Sequence, residues 1–146
     1  MEIQDELINR LNNFQNAPFL FIGSGISKRY IELDNWNSLL KRFSDKMGKP
    51  YEYYFSKGGG HLPTVGGLIA EEFHDYWFKS NGYLENPEKY SSQLVNIDSP
   101  LKIEISKYLI ERCDQKISNL DDNGEIKKLK SAKFDGIITT NYDVFL

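Results

Sequence analysis

One cysteine, Cys113, is all that this 146-residue chain carries. That excludes a disulfide framework within the chain and a cysteine-built zinc site. With no signal-peptide pattern at its start, it points to a reducing, cytoplasmic setting. An excess of positive charge is also missing: 18 Lys and Arg stand against 21 Asp and Glu, for a net charge of -3. No field is available to gather nucleic acid. No apolar run approaches the roughly 20 residues of a membrane span, so no membrane partner is expected. Repeats and low-complexity tracts are absent, and the only linker-like stretch is KGGGH, residues 57–61. What is abundant is apolar and aromatic side chain, 40% and 14% of the residues, enough for one domain with a core of its own.

Periodicity places the helices. Ile3, Leu7, Ile8, Leu11 and Phe14 recur at helical spacing, which predicts an amphipathic helix leading towards Pro18. Asp34 reads as a cap for a helix whose apolar face is Trp36, Leu39, Leu40, Phe43 and Met47, with Gly48 as its stop. A second helix is expected over Thr64 to Lys79. Ser99 and Pro100 open a third, with Leu101, Ile105, Leu109 and Cys113 as its buried stripe. Asn123 and Gly124 precede a short basic helix.

Two stretches break the helical pattern. FLFIGSGIS, Phe19 to Ser27, runs four large apolar residues into two glycines one position apart. An unbroken apolar run bounded by Pro18 and Gly23 fits a short strand buried on both faces, the usual reading of a parallel strand. Near the other end, FDGIITTNYDVFL gives a β-branched strand over Phe134 to Thr140. Strand, several helices, strand implies a long crossover and therefore a parallel pair, with Phe19 to Ile22 beside or one strand away from Phe134 to Thr139. The fold class expected is α/β, a Rossmann-like parallel sheet flanked by helices, present as a partial domain. GSGIS and TTNYD would then both face the crevice beyond the carboxyl ends of the strands, where open α/β sheets bind ligands.

GSGIS has the chemistry of a backbone anion cradle. Glycines permit close approach and positive φ, and the N–H groups of a helix start favour a pyrophosphate. Taken alone the motif reads equally as a tight turn capped by Ser27, because Lys28 stands where GxGxxG needs its third glycine.

Taken together, GSGIS, the tryptophan helix DNWNSLLKRF and FDGIITTNYDVFL resemble the sirtuin-like family of NAD-consuming enzymes, in particular its bacterial anti-phage defence branch. Gly23, Gly25 and Ser27 match the family's GxGxS loop, which contacts the NAD pyrophosphate; Thr139, Asn141 and Asp143 match its TxNxD segment. The resemblance implies that Gly23, Ser24, Gly25, Ile26 and Ser27, with Thr140 and Asp143, bind NAD+. It makes Asn141 the catalytic group that orients the nicotinamide ribose and the attacking water, and Asp143 the acceptor for the nicotinamide carboxamide. No metal is implied. Nicotinamide leaves a cationic linkage as a neutral molecule, so the reaction asks for a shaped, dry pocket and one placed water rather than a general acid. An asparagine amide, both donor and acceptor, suits that placing.

Two departures shape the expected activity. The zinc ribbon of protein-deacylating sirtuins needs four cysteines, which favours hydrolysis of NAD+ to ADP-ribose and nicotinamide over deacylation. The family's histidine lies downstream of the asparagine motif, whereas His61 and His74 both precede it in this sequence. The chain is therefore read as the N-terminal portion, residues 1–146, of a longer sirtuin-like NAD-binding domain cut after TTNYD, inactive by itself. Its expected partners are NAD+, other domains of that longer chain and further copies of itself. Two other classes stay open: a module that senses NAD or ADP-ribose without cleaving it, and an assembly domain whose aromatic surfaces matter more than its pocket.

The remaining features carry no site in this reading. KGGGH reads as a mobile surface loop, with a phosphate contact from His61 as the alternative. FHDYWF, Phe73 to Phe78, reads as core before it reads as an adenine platform. Glu71 and Glu72 form a solvated face, Cys113 is a packed thiol, and Lys127, Lys128 and Lys130 form a patch too small for nucleic acid.

Overall fold

In the computed structural model, which describes residues 3–117 and 124–143, the chain is mostly helical. Among the described residues the only sheet is a parallel pair, β1 (Phe19–Ile22) and β2 (Gly136–Thr139), in the register Phe19 to Gly136 through Ile22 to Thr139. The adjacent parallel pairing expected from the crossover is present. The Rossmann-like α/β sheet flanked by helices is not. The physical reason lies in the length and exposure of the strands. Each has four residues, and Phe19 and Phe21 are 62% and 70% exposed, Ile137 and Ile138 51% each. The apolar run FLFI is not covered on both faces; of its four residues only Ile22 is buried.

The helices are α1 (Ile3–Asn12), α2 (Ser24–Ile31), α3 (Trp36–Lys46), α4 (Tyr51–Lys57), α5 (Leu62–Lys79), α6 (Asn86–Lys89), α7 (Ser99–Ile117) and α8 (Gly124–Ser131), with short 3-10 turns at Asn81–Tyr83 and Ser91–Gln93. They fall into two compact units, one of residues 1–32 with 113–146 and one of residues 33–112.

The unit of residues 33–112 holds a closed core. Phe43 of α3, Tyr54 of α4, and Val65, Ile69, Phe73 and Trp77 of α5 are fully buried, and Phe43 meets Phe73 edge to face at 5.4 Å. FHDYWF is thus core through Phe73 and Trp77, at the i, i+4 spacing of one helix face. The cap of α3 differs from expectation. Asn35 takes that place, accepting from the Ser38 N–H at 2.9 Å. Asp34 instead accepts from Arg42 at 2.6 Å and from the Tyr108 hydroxyl at 2.8 Å. Trp36 lies off the buried face, 52% exposed. Gly48 does end its helix in the left-handed region, at φ 72°.

KGGGH forms a tight, hydrogen-bonded turn between α4 and α5. Gly59 and Gly60 adopt φ 60° and 74°, and the Gly58 and Gly60 N–H groups donate back to Tyr54 and Phe55. A methyl on Gly58 would lie 2.7 Å from Val65 Cγ2, so glycine is what lets α4 turn this closely into α5. That helix starts at Leu62, two residues ahead of the expected Thr64, with Pro63 in its first turn.

In the unit that carries the two motifs, α1 forms as the periodicity predicts, yet none of its residues is buried. α8 carries the basic residues expected of it; Asn123, read as preceding it, lies outside the described residues. Among those residues no helix is long and apolar enough to cross a membrane.

Candidate functional site

β1 and β2 run parallel side by side, so their carboxyl ends point the same way. The segments that leave those ends, GSGIS and TTNYD, meet. Ser27 Oγ donates to Asp143 Oδ2 at 2.7 Å. Asn141 Nδ2 donates to Ser27 Oγ at 3.0 Å and to the Gly23 carbonyl at 3.2 Å. More than 110 residues separate the partners in sequence, so the parallel pairing is what brings these side chains together.

Local chemistry explains each position. After Ile22 the chain turns at Gly23, whose extended φ of -106° and ψ of 179° place it as the cap of α2 with no side chain to fill that role. The first N–H groups of α2 therefore have no side-chain cap, a helix start where the macrodipole favours negative charge. Ser27 lies one turn inside α2, buried to 2% exposure, and bonds across to Asp143 instead of capping the turn. After β2, the Asn141 N–H donates to Thr139 Oγ1 at 3.0 Å. That local bond bends the chain and turns the Asn141 side chain towards Gly23.

The glycines behave differently from expectation. Neither Gly23 nor Gly25 has a positive φ, so neither is required by backbone conformation. A Cβ at either position would meet nothing within 4 Å, so neither is required by packing among the described residues. What glycine provides at both positions is open space above a helix start. Ser24, Gly25 and Thr140 are exposed and Ile26 is half-buried.

The buried Asn141 Oδ1 has no hydrogen-bond partner. Leaving such a carbonyl unsatisfied costs on the order of 1–3 kcal/mol, and a ligand donor could recover it. Open space at two glycines and an orphaned acceptor are features that a dinucleotide, with its anionic and hydroxyl-bearing parts, would fit. Beside Gly25 there is an open groove of about 400 Å3, lined by Gly25, Ile26, Arg29, Tyr30, Glu125 and Leu129.

That groove holds residues the sequence did not single out. Glu125 accepts from Arg29 Nη2 at 2.8 Å and from the Tyr30 hydroxyl at 2.5 Å, joining α2 to α8. The bond to Glu125 raises the Tyr30 pKa above its ordinary value, and burial adds to the rise. Positions 25, 26, 29 and 30 share a helix face, a signal visible only once Ser24 onward is read as helix and not as turn. His61 stands just before α5, with its Nδ1 2.9 Å from Thr64 Oγ1.

Compared with known proteins, the chain matches no family model, no curated protein and no solved structure.

Proposed function

We propose that this chain binds NAD+ at the meeting of GSGIS and TTNYD and belongs to an NAD+ glycohydrolase of the sirtuin-like kind, acting in bacterial defence by depleting NAD+. The observation that carries the reading is the Asn141–Ser27–Asp143 contact, which joins the two motifs that the resemblance pairs. In this reading the pyrophosphate lies over Gly23 and Gly25 at the start of α2, where the N–H groups and the open space favour an anion. Asn141 places the nicotinamide ribose and a water. The C1′–nitrogen bond breaks with its electron pair going to nicotinamide, the water oxygen bonds C1′, and the water's proton passes to solvent. Positioning and electrostatic stabilisation carry the rate, since the leaving group departs neutral.

Sensing of NAD+ or ADP-ribose without cleavage is the second reading, favoured by the openness of the groove beside Gly25. Titration calorimetry with NAD+ and with ADP-ribose, followed by chromatography for released nicotinamide, tests both. The glycohydrolase reading expects binding by this chain and nicotinamide release by the longer protein it is read as part of, with Asn141→Ala in that protein lowering turnover by about 10² to 10³-fold and binding much less. Binding without release by the longer protein supports the sensing reading. Absence of binding to either compound returns GSGIS to a plain strand-to-helix turn.

A further inference from the structure

The hydrogen bonds around Asn141 can be assigned atom by atom. Gly23 offers a carbonyl oxygen, which can only accept, so the Asn141 atom 3.2 Å from it is the amide nitrogen. The same nitrogen sends its second hydrogen to Ser27 Oγ at 3.0 Å. Ser27 Oγ has a single proton, and its other neighbour, Asp143 Oδ2 at 2.7 Å, is a carboxylate oxygen that takes it. The chain of donation therefore runs one way, from Asn141 to Ser27 to Asp143. Without the carboxylate, the Ser27 hydroxyl could turn its proton towards Asn141 and meet the amide N–H head on, leaving the Gly23 carbonyl alone to orient the amide. With it, Ser27 is an acceptor on its Asn141 side, the amide is held in one orientation from both sides, and Oδ1 is left as the unpaired acceptor.

We infer that Asp143 is a positioning residue, which acts on Asn141 through the Ser27 hydroxyl and, together with the Gly23 carbonyl, keeps the amide oxygen as the group offered to a ligand's O–H or N–H. The inference rests on the dinucleotide reading for what the ligand is, and on the chain's own hydrogen bonds for how Asn141 is held. It gives Asp143 an indirect role, where the sequence resemblance made it a direct contact to the nicotinamide carboxamide.

A double-mutant cycle on the 146-residue chain separates the two roles. If Asp143 works through Ser27, then Asp143→Ala and Ser27→Ala each weaken NAD+ binding about tenfold, the range of one hydrogen bond, and the double variant also weakens it about tenfold. Asp143→Asn, whose carbonyl still takes the Ser27 proton, restores most of the affinity. Hundredfold weakening in the double variant, with the two effects adding, overturns the inference. A second readout needs no ligand: the nitrogen and proton resonances of the Asn141 side-chain amide. Ser27→Ala and the double variant should shift them alike, and Asp143→Ala should shift them through the Ser27 hydroxyl that both residues share. If Asp143→Ala leaves those resonances in place in a folded variant, the inference falls. If wild type binds neither NAD+ nor ADP-ribose, the dinucleotide reading falls, and the amide resonances alone decide the role of Asp143.

Discussion

At Gly25 the backbone is helical and a methyl group would meet nothing within 4 Å, so the usual reasons for glycine, positive φ or internal crowding, are both missing. Close approach by something outside the chain is the remaining physical use of that space. The position is exposed and inside a helix, where valine is no worse than glycine in propensity. Gly25→Val should therefore leave the urea midpoint unchanged or slightly raised, while weakening NAD+ binding by about tenfold or more, the cost of losing a good anion contact. Calorimetry on the folded variant checks it, and an unchanged dissociation constant would mean that no ligand uses the space above Gly25. Ser27 makes the complementary case. It is buried and bonded on both sides, so its polarity serves the network.

At the scale of elements, one carboxylate of α5 bonds twice to the segment before it. Glu72 accepts from the Tyr54 hydroxyl of α4 at 2.7 Å and from Lys49 ahead of α4. The Lys49 bond, the largest cause, holds the Glu72 carboxyl below its ordinary 4.5, and the Tyr54 bond helps. Burial first, and the bond to Glu72 second, push the Tyr54 hydroxyl above its ordinary 10. For Glu72 the folded value is the lower one, so its contribution is complete above about 4.5 and is lost as pH falls through the depressed folded value. Urea midpoints measured from pH 6 to pH 3 should fall less steeply in Glu72→Gln than in wild type, and parallel curves would deny the carboxylate that role. Nothing in the sequence marked this residue: Glu71 and Glu72 look alike, and only the packing of α4 on α5 separates the exposed one from the one that bonds. The cap of α3 was ambiguous in the same way, since Asp34 and Asn35 are neighbours and both are good caps. Legible without a structure were the buried faces of α3, apart from Trp36, and of α7, whose periodicity follows from packing, the existence of α5, and the parallel pairing of β1 with β2, which follows from the crossover. The convergence of GSGIS with TTNYD was legible for the same reason. The extent of the sheet was not, because an apolar run such as FLFI says that a strand can be buried and not how many strands and helices lie against it.

Over the whole molecule the two units differ in how they are stabilised, and hydrogen exchange should report the difference. The unit of residues 33–112 buries Phe43, Phe73 and Trp77 completely, so amides in the middle of α5 exchange only through large-scale opening. In the unit that carries the motifs, α1 has ten residues and none buried, below the roughly 12–15 residues at which an isolated helix becomes even marginal in water. β1 and β2 form a two-stranded pair with Phe19, Phe21, Ile137 and Ile138 all more than half exposed, and such a pair is marginal alone. The expected order of protection is α5 highest, the β1–β2 pair well below it, and α1 lowest. NAD+ changes that order if the proposed site is right. A ligand at a hundredfold excess over its dissociation constant stabilises the binding-competent state by about 2.7 kcal/mol. Amides of Gly23 to Ser27 and Thr139 to Asp143 that exchange through opening of the site should therefore slow by about a hundredfold, while those of α5 change much less. Exchange followed by mass spectrometry with and without NAD+ provides the comparison. Protection of β1 equal to that of α5 without ligand would show that the sheet is better buttressed than its exposure implies. Slowing that falls in α5 and spares both motifs would place the nucleotide somewhere other than the meeting point of the two strands.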